Sequence, residues 1–451
     1  MKAKLARVAF LAASVTASLS APATGQDWPH WRGPHFDGSA EASGLPTDFD
    51  AEERVVWAVE LAGPGAATPI IVGEHVFCTA IEPEKGLLLA MCFDRRRGKA
   101  LWKEAAGSNY QPGGGRGSQT LLHDRSNYAS PSAVADEERV VFTFGNGDMV
   151  AFDHGGELLW RRNLQADYGD FSLQWTFSAS PTLYEGKLFL PVLQRDQPAN
   201  GLGRSGAESF LLAIDPASGE TLYRHIRPSP AQVESLESYA TMIPYVGPQG
   251  RKELLVVGGD VLTGHDPATG KELWRWGGWN AGHRQRSWRM VPSPVIGKGV
   301  ALVSAPKGAP VYAVSLDRSG GLGESAVRWK SSGRRTPVTS DVPTPLYYEG
   351  HFFVLSDLRG SLSRLDPGSG SIEWSTKMPG QADWRASPTG ADGKIWCINH
   401  TGLVVVVDAE SGGILAEVEM AKDSGRIRAS IAVAHGRLFL RTDRSLYCIG
   451  R

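Results

Sequence analysis

Cysteine is scarce: four residues in 451, Cys78, Cys92, Cys397 and Cys448, with no C-x-x-C spacing among them. The missing spacing excludes the usual structural zinc sites. The 11 histidines are scattered, with no H-x-H or H-E-x-x-H arrangement, so no metal site is expected. An excess of one charge is lacking as well. Lys plus Arg number 47 against 48 Asp plus Glu, which removes the global field that nucleic acid or an anionic membrane would require. No apolar run is long enough to span a bilayer. No G-x-S-x-G nucleophile elbow joins a strand to a helix. The stretch Gly113 to Gly117 (G-G-G-R-G) is a loop tip rather than a phosphate cradle, because no strand-to-helix transition surrounds it.

The apolar run from Val8 to about Leu19 follows Lys2, Lys4 and Arg7 and precedes small residues around Ala21-Pro22-Ala23. It reads as a signal peptide over residues 1–25, so the mature chain is expected to be exported, periplasmic or extracellular. No cysteine follows closely enough to carry a lipid anchor. Cys78 and Cys92 are expected on adjacent strands of one hairpin. Counting back from a turn near Glu82 to Gly86 sets Cys78 opposite Leu89, an offset that favours four buried free thiols over a disulfide.

Glycine and proline, by contrast, are abundant, 53 and 28 residues, as many tight turns require. One turn recurs. Asp266 to Trp274 reads D-P-A-T-G-K-E-L-W, and variants stand at Asp94 to Trp102, Asp153 to Trp160, Asp215 to Tyr223, Asp366 to Trp374 and Asp408 to Ala416. Asp opens each turn and a Gly near its end can take positive φ, after which a strand begins. Between these turns lie small residues with Pro (Ala67-Thr68-Pro69, Ala129-Ser130-Pro131, Ala179-Ser180-Pro181, Pro292-Ser293-Pro294, Pro343-Thr344-Pro345, Ala386-Ser387-Pro388, Ala429-Ser430) and then two apolar β-runs.

A unit of four short strands at this period is a propeller blade. Eight opening strands are present, but the last unit stops three strands in, at Leu446 to Ile449. The unattached strand Arg54 to Leu61 already carries the fourth-strand aromatic Trp57, so ring closure by that strand settles both surplus and deficit. The expected fold is all-β: a single eight-bladed β-propeller of four-stranded antiparallel blades over residues 54–451, preceded by an arm over 26–53. Trp57, Trp102, Trp160, Trp274, Trp329 and Trp374 are expected to lock neighbouring blades.

The D-x-x-T/S-G-K/E-x-L-W turns resemble the pyrroloquinoline-quinone (PQQ)-type propeller repeat of quinoprotein dehydrogenases and of BamB, the assembly factor for outer-membrane β-barrels. The opening D-W-P-x-W-R-G-P, Asp27 to Pro34, together with the propeller resembles exported bacterial PQQ-like repeat proteins. The resemblance covers nearly all of the mature chain. It implies either a BamB-like, non-catalytic scaffold that binds an envelope protein or an anionic ligand, or a PQQ-dependent dehydrogenase of alcohols or sugars. The dehydrogenases have a vicinal Cys-Cys pair, a Ca2+ set and an Asp base. This chain has no Cys-Cys pair and no evident calcium set. The favoured expectation is therefore a monomeric protein-binding scaffold with no cofactor, and PQQ with Ca2+ belongs to the alternative.

Residues just before each first strand rim one mouth of a propeller channel. Aligning the openings on their Ser/Thr-Pro step gathers Asn127, Tyr128, Trp175, Tyr239, Trp288, Arg289, Asp341, Trp384, Arg385 and Arg428 there. His123, Arg125, Glu237, Arg286 and Arg426 lie beside them. Arg forks suit carboxylates and aromatic faces suit planar groups, so this mouth is the candidate ligand- or partner-binding site. On this alignment Arg289, Arg385 and Arg428 converge with Asp341 as the sole counter-charge. The same residues could instead form ion pairs that serve a wet channel.

Overall fold

A computed structural model describes residues 25–49, 54–107, 127–332, 336–420 and 426–450. The residues read as a signal peptide lie outside this set up to residue 24, as do His123 and Arg125. Each described unit is an antiparallel meander. Blade one consists of Ile70–Val72, His75–Glu82, Leu87–Asp94 and Ala100–Ala105, and its two middle strands are buried while the outer one is exposed. Eight such sheets form the ring. In the eighth, Ala432–Ala434, Arg437–Arg441 and Ser445–Ile449 are completed by Val55–Glu60, which pairs antiparallel with Ser445–Ile449 from the other end of the chain. The fold expected from the sequence is the fold observed. Among the described residues no helix is long and apolar enough to cross a membrane.

A closed circle of hydrogen bonds joins the eight first strands. The backbone N–H of Thr68 donates to Ser132 Oγ, Ser132 to Ser180, Ser180 to Thr241 and Thr241 to Ser293. Ser293 donates to Thr344, Thr344 to Ser387, Ser387 to Ser430, and Ser430 back to Thr68, all at 2.9–3.2 Å. All eight residues are buried, so each bond replaces water at a donor and an acceptor that would otherwise be costly to leave unpaired. In blade two the member is Ser132 and not Ser130. An alignment on Ser130-Pro131 is therefore two residues out of frame there.

Outer-strand aromatics join neighbouring blades. The indole N–H of Trp57 donates to Arg95 O, that of Trp102 to His154 O, that of Trp160 to Pro216 O and that of Trp329 to Pro367 O, each in the repeated turn of the next blade. Those turns need their glycines. A Cβ at Gly219 (φ 75°) would lie 2.6 Å from the Trp160 ring. Trp374 packs on Gly412 in the same way without a partner for its N–H. Trp274 departs from the expectation: its N–H donates to Glu253 Oε2 (2.5 Å) inside its own blade. The reason is local to blade five, which lacks the repeated turn. Its Gly320–Leu322 segment instead adds in parallel to the outer edge of Glu272–Trp276. The cysteine register also differs from expectation. Cys78 pairs with Met91 and Phe77 with Cys92, because the turn holds four residues between Glu82 and Leu87. All four cysteines are free and buried.

The meander divides the loops between two faces. Fourth-to-first and second-to-third connections meet on one face, the mouth, whereas the repeated turns lie on the other. The arm spreads across that second face. Trp28 exchanges backbone bonds with Ile71 of blade one, and Ala135 N–H of blade two donates to Pro29 O. His30 Nε2 reaches Leu183 O of blade three. Arg32 donates to Pro388 O of blade seven and Pro345 O of blade six, and Gly38 and Ala40 exchange bonds with Gly390. Gly38 (φ 93°) is a required glycine, since a Cβ there would lie 1.8 Å from the Arg32 guanidinium.

Candidate binding site at the channel mouth

Above the hydroxyl circle stand the residues two positions earlier in each blade: Ala66, Ser130, Ser178, Tyr239, Val291, Val342, Arg385 and Arg428. All of them border the channel space. Beyond them the channel widens into a cavity of about 530 Å3, large enough for a drug-sized molecule or a short peptide segment. Trp175 and Tyr239 from blades three and four form one wall. Arg385, Arg426 and Arg428 from blades seven and eight form the other, with Asp383 and His400 between them, while Arg289 of blade five stands beside Tyr239.

The aromatic wall is held from behind. Tyr239 donates its hydroxyl to the fully buried Glu237 and accepts from the backbone N–H of Trp175 (3.2 Å). Arg195 pairs with Glu237, yet burial still raises that carboxyl above the ordinary glutamate range.

The cationic wall is more fully paired than the sequence suggests. Arg289 holds Asp341 through two bonds (3.2 and 3.0 Å) and lies 3.7 Å from Glu234. Burial alone would raise Asp341, but the Arg289 pair carries it below the usual aspartate range. Asp341 N–H donates to Asp357, whose other oxygen takes Arg385 Nη1 at 2.6 Å, and Arg385 also reaches Asp383 at 3.4 Å. Burial pushes Asp357 up to about 6 despite Arg385. Asp443 faces the charges of Arg441 and Arg428, and burial raises it too. His400 is drawn down to about 4, first by burial and then by Arg428, so it is neutral at pH 7. The expectation of converging arginines with Asp341 as sole counter-charge is thus corrected. Arg289 stands four residues before its hydroxyl, whereas Arg385 and Arg428 stand two before theirs, and Asp357, Asp383, Asp443 and Glu234 share the neutralisation. Asp357 and His400 were missed because second-to-third strand turns build half of the mouth, and Asp383, in a fourth-to-first connection, was not weighed. Counting from the ends of the second strands would have found Asp357 and His400.

Several expected mouth residues lie elsewhere. Asn127 caps a local turn through Ala129 N–H, and Tyr128 is buried beside blade two. Trp384 packs in the core with Phe353, Leu355 and Met378. Trp288 packs against the cluster of blades four and five, Arg286 is exposed, and Asp341 stands behind Arg289.

A family model described as outer membrane protein assembly factor BamB matches residues 40–167, 92–343 and 298–437. The chain belongs to this family. No curated protein matches in sequence. Among solved structures, BamB from Moraxella catarrhalis superposes with a TM-score of 0.58 at 12% identity, covering 88% of this chain and 99% of that one. A europium-containing methanol dehydrogenase gives 0.64 at 12%, covering 92% and 89%. The computationally designed Ika8 protein gives 0.56 at 12%, covering 88% and 100%. At these identities the structures speak for the propeller alone.

The fit of a quinone with Ca2+ can be judged from the donors. The mouth carboxylates Asp341 and Asp357 are bound to Arg289 and Arg385, and among the described residues no cluster of three His, Cys, Asp or Glu could hold an ion. All four thiols are buried within strands. Guanidiniums suit a quinone's carboxylates, and among the described residues the mouth carboxylates Asp341 and Asp357 are already engaged by arginine.

Proposed function

We propose that this BamB-family chain is an exported propeller scaffold that binds a carboxylate-bearing ligand or protein segment at its mouth and performs no chemistry on it. The observation that carries this reading is the opposition of the Arg385, Arg426 and Arg428 guanidiniums to the Trp175–Tyr239 wall across one cavity. Guanidinium forks recognise carboxylates in two-point pairs, and the aromatic faces offer a planar contact. The family description adds support for a protein partner and an envelope role. Calorimetric titration with benzenetricarboxylate and with an acidic peptide tests the reading. Binding that falls at least tenfold in Arg385→Ala and Arg428→Ala is expected. Binding unaffected by either substitution overturns it.

A PQQ-dependent dehydrogenase is the second reading, favoured by the match between those guanidiniums and a planar tricarboxylate. Adding PQQ and Ca2+ to the protein decides it. A bound chromophore with dye reduction by alcohols or aldoses would replace the scaffold reading.

A further inference from the structure

We propose that Trp31 is the floor of the ligand site. The arm turns the propeller channel into a blind pocket entered from the mouth alone, and the indole receives the end of a slender anionic ligand. This inference rests on the binding reading of the mouth.

The argument starts from two neighbours. His30 bonds blade three and Arg32 bonds blade seven, which stand opposite each other in a ring of eight. The residue between them must lie on the ring axis. Trp31 does, and it lines the channel space of about 160 Å3 that shares Tyr239, Arg385 and Arg428 with the wider cavity above. At about 30 Å3 per molecule this space holds roughly five waters, or one small planar or chain-like group.

The arm cannot swing aside easily. Trp28 is fully buried on blade one, and Arg32 is 1% exposed with its guanidinium bound to two carbonyls of blades six and seven. The Arg32 guanidinium carbon lies 5.8 Å from the Trp31 ring centroid, so the closed end carries a cation as the mouth does. A ligand that extends its anionic or polarised end downward leaves Arg385 and Arg428, passes the neutral hydroxyl ring and ends on the Trp31 ring, with the Arg32 charge behind it.

Thiol accessibility tests the floor, because the four native cysteines are 0–2% exposed and contribute little background. In Trp31→Cys, an anionic methanethiosulfonate should react at least tenfold faster than a cationic one. Saturating benzenetricarboxylate should slow that reaction at least tenfold, and adding Arg385→Ala should reduce the charge preference. His35→Cys, exposed on the same arm, should show neither effect. Equal rates with both reagents, or no reaction in the folded protein, overturn the floor. A preference for the anionic reagent that benzenetricarboxylate fails to block leaves the floor standing and overturns the mouth-binding reading. If Trp31→Cys misfolds, the native chain labelled with 5-fluorotryptophan decides. The resonance absent from Trp31→Phe should shift when benzenetricarboxylate binds, and an unmoved resonance overturns the floor.

Discussion

Two rings lie one above the other in the channel, two residues apart in each blade, and they differ in what they repeat. The lower ring is Ser or Thr in all eight blades, and its hydroxyls close a circle of hydrogen bonds. The upper ring runs Ala66, Ser130, Ser178, Tyr239, Val291, Val342, Arg385 and Arg428. A position that must accept the same backbone N–H eight times cannot vary. A position facing open channel is free to carry charge on one side and aromatic surface on another. Repetition within one chain therefore separates the layer that holds the ring from the layer that gives it a ligand preference.

The strongest way to break the comparison is to open the ring itself. Replacing Val55–Glu60 by a Gly/Ser segment leaves the edge of Ser445–Ile449 unpaired, and aggregation with a fall in Tm of about 10 °C or more is expected by light scattering and calorimetry. Next comes an interblade lock. Trp160→Ala loses its packing on Gly219 and its bond to Pro216 O, at a cost of about 3–5 kcal/mol in denaturant unfolding. A value below 1 kcal/mol would show that this lock adds little to the joint between blades two and three.

The sharpest contrast uses one residue type in one blade. Ser180→Ala strands the buried Ser132 N–H and should cost about 1–2 kcal/mol, whereas Ser178→Ala, one ring higher, should stay within about 0.5 kcal/mol. Equal costs would erase the division between layers.

The smallest effect concerns charge. Asp357 sits at about 6 in the fold, above the ordinary aspartate value, so the fold favours its protonated form; that stabilisation is present below about pH 4 and lost as pH rises through 6. Protonation also removes the negative partner of Arg385, with Asp341 and Asp383 still nearby. Affinity for naphthalenetrisulfonate, whose charge does not change in this range, should rise about two- to fivefold from pH 7 to pH 5. In Asp357→Asn it should be high and flat. A wild-type affinity independent of pH would separate Asp357 from the mouth.

The ring was legible in the sequence because its signals are local. A turn of Asp, Gly and an aromatic spans nine residues, and Val55 to Glu60 announces itself as a strand lacking a unit of its own. The mouth was legible only in part. Tyr239, Arg385 and Arg428 were found, but Ser130-Pro131-Ser132 offers two hydroxyls and the pattern cannot say which joins the ring. Trp384 carries the same residue type as a ligand-stacking group, yet its side chain points into the core among Phe353 and Leu355. Trp274 obeys the repeat in sequence, but Glu253 from a strand paired elsewhere in its blade captures the indole N–H. Such choices depend on neighbours distant in the chain.

The pairing of Val55–Glu60 with Ser445–Ile449 also has a temporal meaning. Made from its N-terminus, the chain can assemble seven blades in order as each meander is completed, since their contacts are local. The eighth must wait until Ser445–Ile449 is available, and bringing segments so far apart in sequence together carries the loop-closure entropy of the seven blades between them. Until then the early strand has no sheet to join and the arm has no finished ring to cross. The unfinished ring is therefore the form most exposed to proteases and chaperones, and closure marks the moment at which the channel, its mouth and its floor come into being together.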